Sequence, residues 1–242
     1  MGALQNLAPL PEDWQRALAV VAHPDDLEYG AASAIARWTS QGKHVSYLLV
    51  TRGEAGIATM VPAQAGPLRA DEERRSASVV GVQTVEFLDY RDGMIEYGLP
   101  LRRDIARAIR RHCPEVLITG SHRLTWGDGS LNMADHRWVG LAVLDAARDA
   151  GNRWIFPELL TEGLAPWGGV RLVCLCGSLR STHAVDITGF LDKGIASLQE
   201  HGVYLAHLSP DFDPATFLRE QALEAGQASG YEHAVSFEVI RI

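Results

Sequence analysis

The stretch "VVAHPDDLEYG", residues 20–30, joins the end of an apolar run to the start of a helical pattern and sets His23, Asp25, Asp26 and Glu28 at the junction. The run before it, "ALAVVAH", reads as a buried strand, and "ASAIARWTSQGK" after it as a helix that closes at Gly42. The rhythm then repeats. "HVSYLLV", "TVEFL", "EVLITG", "RLVCLCG" and the terminal "HAVSFEVIRI" read as further strands. "RADEERRSASVVGV", "LRRDIARAIRRH", "DHRWVGLAVLDAARDAG", "GFLDKGIASLQEHGV" and "PATFLREQALEAGQ" read as helices, the second of them halted before Pro114.

Short continuous apolar strands alternating with helices predict a mostly parallel sheet covered on both faces. The chain has 242 residues, 47% of them hydrophobic, which is enough for one full core, and no repeat, charge block or low-complexity linker divides it. The expected fold is α/β, a single doubly wound, Rossmann-like domain over residues 1–242. Ligands of such sheets sit beyond the carboxyl ends of the strands. That rule singles out the irregular segments 52–67, 121–134 and 157–169.

A formal net charge of −8 argues against nucleic acid or an anionic membrane surface as a partner, since both require clustered cations. Residues 1–19 lack a basic segment leading into an apolar region with a small-residue cleavage site. No apolar window reaches the roughly 18 residues of a membrane span. A cytoplasmic protein is expected, and a homo-oligomer is compatible with the sequence. Cys113, Cys174 and Cys176 make an odd count, and the last two fall on one face of an apolar strand, which suits core residues better than a disulfide or a zinc knuckle.

At the end of the first strand, a G-x-G-x-x-G turn would signal a dinucleotide phosphate, but this turn offers carboxylates, which repel phosphate. His23 and Asp26, three residues apart, can face one point, and Asp25 between them is left over as a free acid. A catalytic zinc commonly takes three protein ligands and keeps one position for water. For the third, the residues offer His136, which opens a helix after the loop that follows "EVLITG", and His122 at the start of that loop.

The strings "AHPDDLE", "TRGEAG", "RADEERRSASVVGV", "FLDYRDGMI" and "ADHRWVG" together resemble the LmbE-like (PIG-L) family of zinc-dependent de-N-acetylases, which includes mycothiol-pathway deacetylases. The likeness is firm over residues 17 to 140, and "VDITGFLDKGIASLQEH" follows the family pattern loosely. It implies one Zn2+ per chain held by His23, Asp26 and His136, with Asp25 as general base. It also implies substrate contacts from Arg69, Asp92 and Glu54, and a small-molecule N-acyl amino sugar or glycoconjugate as substrate. The chain departs from the pattern at one position: Met133 stands where relatives carry an auxiliary histidine. Asn132 and His201 are the candidates to replace it.

Each of these residues has a plainer reading. Carboxylates favour any helix start. Arg69 and the charges after it suit a solvated helix face, and Asp92 in "RDG" suits a turn. His183 and His201 suit surface or core positions, and Trp126 and Trp167 suit loop anchors as well as a sugar-stacking floor. Three functions therefore compete: a zinc hydrolase releasing an acyl group, most simply acetyl; a slow or non-catalytic sugar- or metabolite-binding member, suggested by Met133; and a nucleotide-binding domain with a divalent cation on Asp25 and Asp26.

Overall fold

The computed structural model describes residues 7–208 and 212–242. In chain order the strands are β1 (Ala8–Pro9), β2 (Arg16–Val21), β3 (His44–Leu49), β4 (Thr84–Phe87), β5 (Val116–Gly120), β6 (Leu172–Cys176), β7 (His183–Asp186) and β8 (Ala234–Arg241). The helices are α1 (Asp26–Gly30), α2 (Ala32–Ser40), α3 (Pro62–Val79), α4 (Leu99–His112), α5 (Ala134–Asp149), α6 (Glu158–Thr161), α7 (Leu191–Gln199), α8 (Gly202–Leu205) and α9 (Pro214–Ser229). None of the described helices is long and apolar enough to cross a membrane.

The strands form one sheet in the order β1-β7-β8-β6-β5-β2-β3-β4. Strand β2 shows why the sheet is double-sided. Its Ala17, Ala19 and Val21 join an apolar layer with Ile35 and Trp38 of α2 and Ile195 and Leu198 of α7. Its Leu18 and Val20 join the opposite layer, with Ile105 and Ile109 of α4 and Val139 and Val143 of α5. Side chains alternate across a strand, so a continuous apolar run feeds both layers. Cys174 and Cys176 fall in the first layer as free, buried thiols, and burial pushes Cys174 up to about 12.

The expected parallel pairing holds for β2 with β3 and β5, β3 with β4, and β5 with β6. At the far side, β8 runs antiparallel to both β6 and β7. Strands β1 and β7 were not read from the sequence. Both are short, and they take strand form by pairing with each other and, through β7, with β8. The segment 52–67 is not irregular throughout either. Helix α3 begins at Pro62, seven residues before the expected Arg69, because proline at the first helical position gives up an amide that has no partner there anyway.

From β2 the chain moves outward through β3 to β4, then α4 returns it to β5 on the other side of β2. The order reverses between β2 and β5. Such a reversal leaves a crevice at the carboxyl ends of the two strands.

Candidate metal centre

The crevice is built from two turns. After β2 the chain bends at Pro24, and Asp25 adopts a left-handed conformation with φ 95° before α1 starts. A non-glycine residue there carries strain, on the order of 1–3 kcal/mol, and persists only where its surroundings hold it. They do so here. The Asp25 amide donates to Glu73 Oε2 at 3.2 Å, and Arg69 Nη2 donates to the Pro24 carbonyl at 2.5 Å and to Asp25 Oδ1 at 3.1 Å.

Asp26, the first residue of α1, accepts the backbone amides of Ala22 and His23 on Oδ2, at 3.0 and 2.9 Å. Its Oδ1 is thereby aimed at His136 Nε2, 3.0 Å away. His136 comes from the first turn of α5, beyond β5. His23 Nδ1 lies 3.2 Å from the same His136 nitrogen. Donor atoms of His23, Asp26 and His136 all fall within 4.8 Å of one another. His122, the competitor for the third place, stays outside, with Nδ1 buried and unpartnered among the described residues.

The outer edges of both imidazoles are committed. His23 Nε2 meets Asp92 Oδ1 at 2.9 Å and Asp135 Oδ2 at 3.2 Å. His136 Nδ1 meets Asn132 Oδ1 at 3.0 Å, and Asn132 is oriented by donating Nδ2 to the carbonyls of Ser121 and Arg123. Acceptors outside require protons on the outer nitrogens. The inner nitrogens then converge beside a carboxylate, where a bound cation, or a proton in its place, relieves the repulsion of facing lone pairs. Carboxylate or amide partners behind ligating histidines are a regular property of metal sites. The residues present fit a divalent ion with mixed nitrogen and oxygen donors such as zinc.

The same groups electrostatically favour a cation. Burial lowers His23, but hydrogen bonds to Asp135, Asp26 and Asp92 outweigh it and hold its pKa well above the usual range. Burial raises Asp26, yet His136 and His23 hold it well below. Asp25 behaves oppositely: burial pushes it up to about 6 against the pull of Arg69.

Arg69 is not a solvated helix residue. It is 2% exposed, and its Nη1 reaches the Gly53 carbonyl at 3.0 Å. A Cβ on Gly53 or Gly56 would stand 2.3 Å from that nitrogen, so the close approach depends on glycine. Asp92 places Oδ2 on the Ala55 amide at 2.8 Å, in addition to its contact with His23. Glu54 Oε1 accepts the Asp92 amide at 2.9 Å. The three expected substrate contacts therefore lie at the crevice, with most of their polar atoms engaged by the protein.

Other candidates disperse. Asn132 has both ends of its amide occupied, and His201 is buried beneath α1. Met133, at the N-cap of α5, is 51% exposed and donates nothing. Trp126 packs edge-on to His136 at 5.8 Å, whereas Trp167 donates to the Pro114 carbonyl at the opposite end of β5. His183 lies in β7, between β1 and β8 and away from the crevice, bonded to Thr182.

Two supports went unread. Asp135 takes the Gly93 and Ile95 amides at 2.7 and 3.2 Å while holding His23, and Glu73 holds the Asp25 amide. Asp135 carried a signal, since a carboxylate beside a ligating histidine is a common outer partner. Glu73 carried none inside its run of charges. A cavity of about 920 Å³ opens at Asp26 and His136, passes Trp126 and reaches Phe217 and Leu218 of α9.

A family model described as PIG-L, GlcNAc-PI de-N-acetylase, matches residues 18–147. Diacetylchitobiose deacetylase of Thermococcus kodakarensis is 27% identical over 92% of this chain and 82% of its own. A 1D-myo-inositol 2-acetamido-2-deoxy-alpha-D-glucopyranoside deacetylase of Kribbella flavida is 28% identical over 72% of this chain and 67% of its own. Among solved structures, N,N'-diacetylchitobiose deacetylase from Pyrococcus horikoshii superposes with a TM-score of 0.86, covering 95% of this chain and 85% of that one at 22% identity. With more than half of its length matched by the family model, the chain belongs to the PIG-L family of GlcNAc-PI de-N-acetylase-like proteins.

Proposed function

We propose that the protein is a zinc-dependent amidohydrolase that removes the acetyl group from an N-acetylated amino sugar or glycoconjugate. His23, Asp26 and His136 are assigned as the ligands of one Zn2+ per chain, and Asp25 as the general base. The observation that carries this reading is the pair of inward-facing imidazole nitrogens beside Asp26, each fixed from behind by Asp92 and Asp135 or by Asn132. A zinc ion held there supplies Lewis acidity, which makes water nucleophilic near neutral pH and polarises an amide carbonyl.

The chain's own residues handle the proton. Asp25 accepts it from the attacking water and delivers it to the departing amine. Arg69 fixes the orientation of that carboxylate through Oδ1. Asp92 and Asp135 keep the His23 proton on the outer nitrogen. Glu54 has one carboxylate oxygen outside any hydrogen bond among the described residues, so of the three expected contacts it retains the most capacity for a substrate hydroxyl. Trp126 walls the cavity that receives the rest of the substrate.

With Met133 apolar and Asn132 engaged, the oxyanion lacks one side-chain donor. Loss of such a donor costs about 10²- to 10³-fold in rate, which a working enzyme can tolerate. The alternative, a binding protein without turnover, is not favoured by the comparisons, whose named relatives are deacetylases. The test is acetate release from N,N'-diacetylchitobiose and N-acetylglucosaminyl conjugates. Release that chelation abolishes and Zn2+ restores supports the assignment; a metal-loaded protein inert on a broad amide panel sinks it.

A further inference from the structure

Beneath α1 lies a second group of donors. Glu28, Glu73 and His201 come from α1, α3 and the turn between α7 and α8, and donor atoms of the three fall within 4.8 Å of one another. All three are fully buried. His201 Nε2 stands 3.8 Å from Glu28 Oε2 and 3.7 Å from Glu73 Oε2, beyond the 2.7–3.2 Å of a direct hydrogen bond. Among the described residues, Glu28 Oε2, Glu73 Oε1 and both His201 nitrogens lack a hydrogen-bond partner, and the Tyr47 hydroxyl is also buried without one. Burial, and after it the charge of both glutamates, raises the Tyr47 pKa.

Buried carboxylates are paired, bind a metal or keep their proton, because an isolated charge in a dry interior is prohibitive. His201 is the one basic side chain within 4.0 Å of either glutamate among the described residues. His201 balances one of the two, and burial together with the charge of Glu28 holds the other, Glu73, well above its usual range. Ligands of a common ion bonded at about 2.0–2.4 Å stand no more than roughly 4–5 Å apart, which is the spacing found here.

We propose that Glu28, Glu73 and His201 form a second, closed site for a first-row divalent cation. Two carboxylates and one imidazole suit zinc, manganese or iron(II). The ion would join α1, α3 and the α7–α8 turn. Its effect reaches the crevice through Glu73, whose Oε2 also holds the Asp25 amide, so the site is structural and positions the base at one remove.

The test is metal content after saturation with Zn2+ and removal of excess, with anomalous diffraction at the zinc edge. Wild type should hold about two equivalents per chain. His201→Ala and Glu73→Gln should each lose one and keep the peak among His23, Asp26 and His136. His136→Ala should lose the other and keep the peak at His201 Nε2, which separates this proposal from the function assigned above. A wild type with no zinc peak at His201, or a His201→Ala protein with undiminished metal content, overturns it. Should the His201 and Glu73 variants fail to fold by circular dichroism, the wild-type peak alone decides.

Discussion

Helix α1 presents two histidine–carboxylate groups to opposite sides, and they differ in what stands behind them. Around His23, Asp26 and His136, each imidazole has an outer acceptor, and only the inner lone pairs converge. Around Glu28, Glu73 and His201, both nitrogens of the imidazole are without a hydrogen-bond partner among the described residues. The first group opens on a cavity, and the second is sealed. Outer partners set tautomer and basicity, which matter where chemistry occurs. A sealed group needs only to be neutralised. On the assignments proposed above, turnover belongs to one side of α1 and architecture to the other.

The largest expected effect breaks the open group itself. His136→Ala should lose the crevice metal and bring acetate release down to background. Asp25→Ala should keep the metal and lower kcat about 10²- to 10⁴-fold, the range for a missing general base. Metal content and kcat measured together check both. If Asp25→Ala lost the metal while His136→Ala kept it, base and ligand would have to be exchanged.

Next in size are the outer partners. Asp135→Asn or Asp92→Asn should weaken metal binding about 10- to 100-fold, as removing an outer carboxylate commonly does. Both carboxylates serve His23 Nε2. The double variant should therefore fall short of the sum of the single effects. Competition with a chelator of known affinity reads this directly, and full additivity would mean that the two do not share one nitrogen.

A smaller effect concerns the support under Asp25. Gly53 has φ +64°, and a Cβ there would meet Arg69 Nη1 at 2.3 Å. Gly53→Ala should destabilise the fold by about 1–3 kcal/mol through backbone strain and displace Arg69. Denaturant midpoints check the first part, and a fall in kcat at unchanged metal content checks the second. An Ala variant with wild-type stability and kcat would show that Arg69 has room to shift.

What the sequence disclosed follows the same division. The strands β2, β3, β5 and β6 were legible because a parallel strand buried on both sides must be apolar throughout. His23, Asp25 and Asp26 were legible because one turn carries them all. Strand β7, four residues with histidine and aspartate at its ends, has no apolar run to betray it and depends on β8 for its form. Helix α3 hid its start behind Pro62, Gly66 and Pro67, residues that locally argue against a helix. The supports of the crevice were hardest to read. Asp92 and Asp135 meet at His23 from distant segments, and Glu73 and His201 sat among charges and polar residues whose burial only the tertiary fold decides.

The smallest expected effect tests a buried carboxylate that, unlike those at His201, is fully served. Glu238 of β8 receives Arg123 through Nε at 3.1 Å and through Nη2, and also the Ser178 hydroxyl. The contacts tie the loop bearing Trp126 to the sheet. Burial raises the Glu238 pKa, but Arg123 and Ser178 outweigh it, and the net shift is downward. A carboxylate depressed on folding stabilises fully above its unfolded value, about 4.3, and loses that stabilisation as pH falls through the lower folded value. Glu238→Gln should therefore cost about 1–2 kcal/mol near pH 7, the range for a charged hydrogen bond lost from a partly screened site. The gap in Tm between the two proteins should close as the acid range is entered. A gap that stayed constant with pH would assign the loss to packing, and the satisfied carboxylate would then say nothing about charge in this fold.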